Sequence, residues 1–204
     1  MVKKIVITGG LGYIGTELCK IYSGLSWHHK IIVIDNRFVS ERVNQLRNWN
    51  IEFIHGDILD KNLINKVLKD ADIVHHLAGI TDVPRTKSES TDEKDNKIKL
   101  VGEKGTENIL NAISNKCKII FPSTHVVYEG IEEVKDDISE NEKTKPVLSY
   151  SSSKAINEKQ LKDSGKNYII LRLGSVYGYS TDTARIDIMP NLFSKIASQN
   201  GTLK

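Results

Sequence analysis

The stretch Lys4-Ile5-Val6-Ile7-Thr8-Gly9-Gly10-Leu11-Gly12-Tyr13-Ile14-Gly15 decides how the rest of the chain is read. Ile5, Val6 and Ile7 form a β-branched run, the composition of a strand buried on both faces. After the glycines, Tyr13–Tyr22 has the apolar spacing of a helix. A strand turning tightly into a helix exposes free N–H groups and about half a positive charge, which receives phosphate. Gly9 permits the tight turn, Gly12 lets a pyrophosphate approach the backbone, and Gly15 lets helix and strand pack closely. Tyr13 and Ile14 open that helix and are candidate phosphate contacts.

Outward from this turn, Asp35 stands twenty residues after Gly15, at the end of the second apolar run. There a carboxylate accepts hydrogen bonds from adenosine ribose hydroxyls and repels a 2′-phosphate, which favours NAD over NADP. Arg37 keeps NADP open as an alternative. Asn36 belongs to the same rim. Gly56-Asp57-Ile58 follows the third apolar run, and Asp57 is either an adenine-side carboxylate or the cap of the next helix.

The remaining chain repeats this rhythm. Strands are expected at Lys4–Thr8, Lys30–Ile34, Ile51–His55, Ile73–His76, Cys117–Pro122 and Asn167–Leu171. Helices are expected at Tyr13–Tyr22, Val43–Asn48, Lys61–Leu68 and Ser151–Asp163, with one long helix around Lys94–Ser114. Apolar strands separated by helices give an α/β fold, a doubly wound, Rossmann-like parallel sheet with helices on both faces. The polar stretches Ser88–Lys94 and Glu129–Lys145 both follow strands and read either as loops around the ligand end or, for most of their residues, as solvated surface.

Composition narrows the classes of function. The chain has 204 residues, 39% hydrophobic and 27% charged, which suits a folded domain. A net charge of +3 with dispersed Lys gives no nucleic-acid stripe. No run approaches the ~18 apolar residues of a membrane span, and an apolar strand follows Met1 almost directly. A cytoplasmic protein is expected. Cys19 and Cys117 have no metal-ligand spacing and read as core residues, and no metal site is expected.

Five segments, in order, resemble the extended short-chain dehydrogenase/reductases, the NAD-dependent nucleotide-sugar epimerase/dehydratase family. They are Thr8–Gly15, His76-Leu77-Ala78-Gly79, Pro122–Gly130, Tyr150-Ser151-Ser152-Ser153-Lys154 and Leu171–Gly178. With seven Tyr in a Lys-rich chain, a Tyr-x3-Lys pair arises by chance about once, so order and position carry the weight. The resemblance implies that Tyr150 is the acid–base residue, its pKa lowered by the Lys154 ammonium and the positive nicotinamide ring, and that Lys154 also holds the nicotinamide ribose. It implies that Thr124 orients the substrate oxygen, with Ser123 as the fallback. A plain strand-end turn remains the other reading of Thr124, and a surface pair that of Tyr150 and Lys154. Leu77, Ala78 and Gly79 are expected against the cofactor, and Thr81, Ser175 and Asn191 against substrate. The segment Arg185–Asn191 reads equally as a charged helix start.

Departures from the family pattern discriminate among reactions. Dehydratases carry an Asp-Glu pair after the threonine, and here those positions are His125 and Val126. Gly102 stands where many relatives have Asn, and Ser175 replaces another Asn. An epimerase working through a transient keto intermediate is therefore favoured over a net reductase, dehydrogenase or dehydratase, or a non-catalytic NAD-binding protein. Residues 1–178 are expected to form the NAD-binding domain, and 179–204 the start of a substrate region whose remainder is largely absent. The resemblance also implies a homodimer through the helices near 94–114 and 151–163.

Overall fold

The computed structural model describes residues 1–80, 86–180, 185, 186 and 188–202. Six strands form one parallel sheet: β1 (Lys4–Thr8), β2 (Lys30–Asp35), β3 (Glu52–His55), β4 (Ile73–His76), β5 (Lys118–Thr124) and β6 (Asn167–Leu173). Their spatial order is β3-β2-β1-β4-β5-β6, the doubly wound arrangement expected from the alternating pattern. Val6 stands opposite Ile32 on one side and Val74 on the other. The order reverses between β1 and β4, so a crevice opens beyond the carboxyl ends of these two strands.

Side-chain alternation along β1 and β2 builds two cores. Ile5, Ile7, Ile31 and Val33 face one side, beneath α1 (Tyr13–Ser23) and α2 (Ser40–Asn48), with Cys19, Val43 and Leu46. Val6, Ile32, Ile34, Val74, Ile119 and Phe121 face the other. They are covered by α3 (Lys61–Leu68), α5 (Gly105–Ala112) and α6 (Ser149–Asp163). Each such side chain contributes about 1.5–3 kcal/mol by leaving water. Cys19 and Cys117 are buried free thiols in different cores, as expected of apolar residues. β6 lies at the sheet edge, where Ile169 and Leu171 remain exposed.

The long helix expected around 94–114 is broken. α4 (Asp92–Lys99) passes through a π-helical turn at Leu100–Lys104 into α5, which ends at Ala112. The wider turn weakens the regular ladder, and α6 satisfies the backbone there. Asn157 donates to the Gly102 carbonyl at 3.1 Å and Gln160 to that of Glu103 at 3.1 Å. Ser88–Lys94 is correspondingly only part loop, since α4 begins within it. The final helix, α7 (Met189–Ser198), takes Pro190 in its first turn, where no helix hydrogen bond is lost. No helix among the described residues is long and apolar enough to cross a membrane. They also hold no His/Cys/Asp/Glu group suited to a metal ion.

Candidate active site

The glycine turn has the predicted form. Gly9 has φ +71°, and a Cβ there would lie 2.7 Å from the Ala78 nitrogen, so β1 and the exit of β4 meet backbone to backbone. A Cβ on Gly15 would lie 2.4 Å from the Gly9 carbonyl oxygen, so α1 sits directly on the turn. The N–H of Gly12 is taken by Gly9, and that of Thr16 begins the helix ladder at Gly12. The N–H groups of Tyr13, Ile14 and Gly15 precede that first rung and suit an anionic ligand.

Asp35 has a second role that its spacing alone did not show. It is buried, and its carboxylate accepts from the Leu11 N–H at 3.0 Å and from the Arg37 N–H at 3.0 Å. Arg42 of α2 donates to the Leu11 carbonyl, so both ends of this residue are gripped. Sequence reasoning missed Arg42, because only the fold brings it 31 positions back to the turn. Asn36 donates to Asp57 at 3.0 Å, and Asp57 also accepts from the Leu59 N–H at 2.9 Å. The cap of α3 is Asp60, which accepts from Asn62 and Leu63, so the capping alternative for Asp57 is set aside. Asp57 instead joins Asn36 beside Asp35, and Ile58 turns into the core.

At the switch point, His76 is fully enclosed between two threonines, with Nδ1 3.0 Å from Thr8 Oγ1 and Nε2 3.0 Å from Thr106 Oγ1. Thr8 Oγ1 also accepts from the Ala78 N–H at 3.2 Å, leaving its own hydrogen to donate to Nδ1. Both ring nitrogens are thus paired with a hydroxyl that can donate or accept. Burial, with the Lys154 charge adding to it, drives the His76 pKa down to about 3. Leu77, Ala78 and Gly79 continue from it along the same cleft as Tyr150 and Lys154. A wider depression lies at the opposite end of the sheet, near His29 and Arg47, away from this chemistry.

Tyr150 falls in the first turn of α6, two residues inside the helix rather than ahead of it. Lys154 is one turn on, and its Nζ donates to the Pro122 carbonyl at 2.8 Å. The ammonium also stands 4.4 Å from the Phe121 ring centroid and 5.9 Å from that of Tyr150. Burial lowers the Lys154 pKa to about 8, against the opposing pull of Glu158. For the tyrosine, the chain alone acts against the lowering expected with the nicotinamide ring in place. Burial raises its pKa, and the Arg185 charge only partly opposes this. In the chain by itself desolvation therefore outweighs the Arg185 charge, and the phenol form of Tyr150 is favoured.

Thr124 ends β5, buried, and its Oγ accepts from the Val126 N–H at 3.3 Å, which caps a short 3₁₀ turn. That bond uses a lone pair and leaves the hydroxyl hydrogen free to donate. The fallback Ser123 is differently committed, since it donates to buried Glu158 at 2.6 Å on the α6 side. Ser175 is exposed in the segment after β6. Asn191 accepts from the Gly178 N–H at 2.9 Å and donates to Arg185 O at 2.9 Å and Tyr13 Oη at 3.3 Å. Tyr13 in turn donates to the Gly178 carbonyl, so this region is laced to the start of α1. Thr81 lies outside the described residues.

A dinucleotide-type cradle joined to a half-buried Tyr–Lys pair at a sheet switch point defines an extended short-chain dehydrogenase/reductase. The chain belongs to the NAD dependent epimerase/dehydratase family, whose model matches residues 5–203. It is 33% identical over 198 residues to dTDP-D-glucose 4,6-dehydratase of Dictyostelium discoideum, covering 87% of this chain and 44% of the relative. It is also 33% identical over 205 residues to CDP-paratose 2-epimerase of Salmonella typhi, covering 86% and 58%. The chain therefore spans about half the length of these curated relatives. Among solved structures, a UDP-glucuronic acid 4-epimerase variant from Bacillus cereus, in complex with UDP-4-deoxy-4-fluoro-glucuronic acid and NAD, superposes with TM-score 0.81. That match has 27% identity and covers 98% of this chain and 64% of that one.

Proposed function

We propose that this chain is the NAD-binding and catalytic part of an enzyme that epimerises a nucleotide-linked sugar through a transient keto intermediate. Tyr150 and Lys154 in one cleft with Leu77, Ala78 and Gly79, beside the glycine turn, carry this reading. Residues 1–178 form the cofactor-binding unit in this account, and 179–204 open the substrate region. The N–H groups of Tyr13, Ile14 and Gly15 hold the pyrophosphate. Asp35, Asn36 and Asp57 address the adenosine side. Bound NAD supplies a reversible hydride acceptor, through which a sugar carbon becomes a ketone and is reduced again from its other face.

The chain's own residues handle the proton. Tyr150 takes the proton of the sugar hydroxyl as the carbon is oxidised and returns it afterwards. Burial favours the phenol in the chain alone, so the base form that takes this proton depends on the Lys154 ammonium and the positive nicotinamide ring of bound NAD, and the phenol so formed returns the proton afterwards. Lys154 remains mainly charged at neutral pH. Thr124 donates its free hydroxyl hydrogen to the substrate oxygen. His125 and Val126 favour epimerisation over dehydration, because valine cannot move a proton. The exposed Leu100 and Ile156, on the π turn and α6, support a homodimer through those helices in a cytoplasmic enzyme.

The test incubates the protein with UDP-, GDP-, CDP- and dTDP-sugars, follows sugar products by NMR, and reads cofactor absorbance. The proposal predicts inverted configuration at one carbon without net accumulation of reduced cofactor. Stoichiometric reduction, or a dehydrated product, contradicts it.

A further inference from the structure

Glu158 is a buried carboxylate on α6, and the proposed chemistry has no direct use for it. It stands one turn beyond Lys154 and two beyond Tyr150, so all three lie along one side of the helix. One oxygen accepts from Ser123 Oγ at 2.6 Å and Arg172 Nε at 2.9 Å, and the other from Arg172 Nη2 at 2.6 Å. Arg172 lies on β6, and its remaining nitrogen reaches the Tyr128 hydroxyl and the Glu140 carbonyl, the latter at 3.0 Å. β5 and β6 therefore converge on one carboxylate of α6, and Arg172 ties in Tyr128 and Glu140 behind it.

We infer that Glu158 is a positioning residue for the Tyr150–Lys154 pair, fixing the register of α6 on β5 and setting a carboxylate one helical turn from the Lys154 ammonium. The geometric half rests on two parallel rungs. Ser123–Glu158 and Pro122–Lys154 join consecutive residues of β5 to consecutive turns of α6. Thr124, the next residue of β5, is registered with them. A slip of α6 that withdrew Lys154 from Pro122 would strand a fork of two Arg172 hydrogen bonds and one serine hydroxyl in a buried setting.

The electrostatic half follows from what faces each group. Around Lys154 stand neutral His76 of β4, protonated Tyr150 and Glu158. Glu158 itself is faced by Arg172 of β6 and Lys162 of α6, with a carboxyl held below its ordinary range despite burial. It is the anion that opposes the desolvation of Lys154.

The inference rests on the acid–base reading of Tyr150 and Lys154, yet its test needs no turnover. Competitive acylation of lysines across a pH series, read by mass spectrometry, gives for Lys154 both a titration midpoint and a limiting rate. In Glu158→Gln the midpoint is expected to move to lower pH by about half a unit or more, since an opposing anion is gone. In Ser123→Ala, which keeps every charge, the limiting rate is expected to rise several-fold as the rung loosens. Should the glutamine variant fail to fold, the alanine variant carries the test. An unmoved midpoint in folded Glu158→Gln, or an unchanged limiting rate in Ser123→Ala, overturns the inference. If Tyr150→Phe turns over normally while both acylation changes appear, the proposed chemistry fails and the positioning of Lys154 stands.

Discussion

The ammonium of Lys154 and the carbonyl oxygen of Pro122 stand 2.8 Å apart, joining the helix that carries Tyr150 to the strand that ends in Thr124. This bond holds a charged group in a place where its charge is costly. Burial brings its pKa to about 8 from an ordinary 10.5.

Lys154→Met should therefore separate stability from function. Holding an ammonium at a pKa of about 8 costs the fold about 3 kcal/mol at neutral pH, and an unpaired Pro122 carbonyl returns about 1–3 of that. The variant is expected to melt at or a few degrees above the parent while losing turnover. The sign also fixes a pH dependence. Between about 8 and 10.5 the unfolded chain binds the proton and the folded chain does not, so the Lys154 contribution to stability rises with pH in that window. Urea unfolding of both proteins across that range checks it. A parent slope no steeper than that of the variant contradicts the account.

Asp35→Ala removes the acceptor for the Leu11 N–H and frees Arg37, whose side chain is already 54% exposed. Two consequences are expected in calorimetric titrations. NAD affinity falls by about tenfold or more, as the turn loses a charge-assisted bond. The preference for NAD over NADP narrows, because Arg37 becomes available to a 2′-phosphate. An unchanged preference would place cofactor selection elsewhere.

His76 predicts an acid limb. A neutral buried imidazole with a pKa of about 3 cannot take up the proton that the unfolded chain binds near 6.5. Its contribution is present in full above about 6.5 and is lost as pH falls toward 3, a total of a few kcal/mol. His76→Asn should be less stable at pH 7, since the Thr8–His76–Thr106 chain is broken, but its stability should fall less steeply between pH 6.5 and 4. Parallel slopes in denaturant titrations would refute this.

The parts of this structure that depend on neighbours in sequence were legible. β-branched runs located all six strands to within a few residues, and glycine spacing placed the turn, because both act within a handful of positions. The expected single helix near 94–114 failed for a physical reason. Its π turn is satisfied by Asn157 and Gln160 of another helix, and no local propensity encodes that. Arg42 and the Tyr13–Gly178–Asn191 lacing were hidden in the same way. Glu158 left a trace, since it repeats the spacing from Tyr150 to Lys154 once more, but only Ser123 and Arg172 give that spacing a meaning. The expected low pKa of Tyr150 counted an ammonium and a bound nicotinamide ring, whereas the chain alone contributes a desolvation that acts in the opposite direction and that spacing does not reveal.

The central claim concerns the proton on Tyr150. Tyr150→Phe removes one oxygen at the surface of a helix whose packing rests on Ser151, Ser153, Asn157, Glu158 and Leu161, so the fold and NAD affinity should be retained. Turnover of the nucleotide sugar that the panel identifies should fall by about 10² to 10⁴-fold, the usual worth of a positioned acid–base group. Parent-like turnover in a folded, NAD-bound Tyr150→Phe protein would contradict the mechanism.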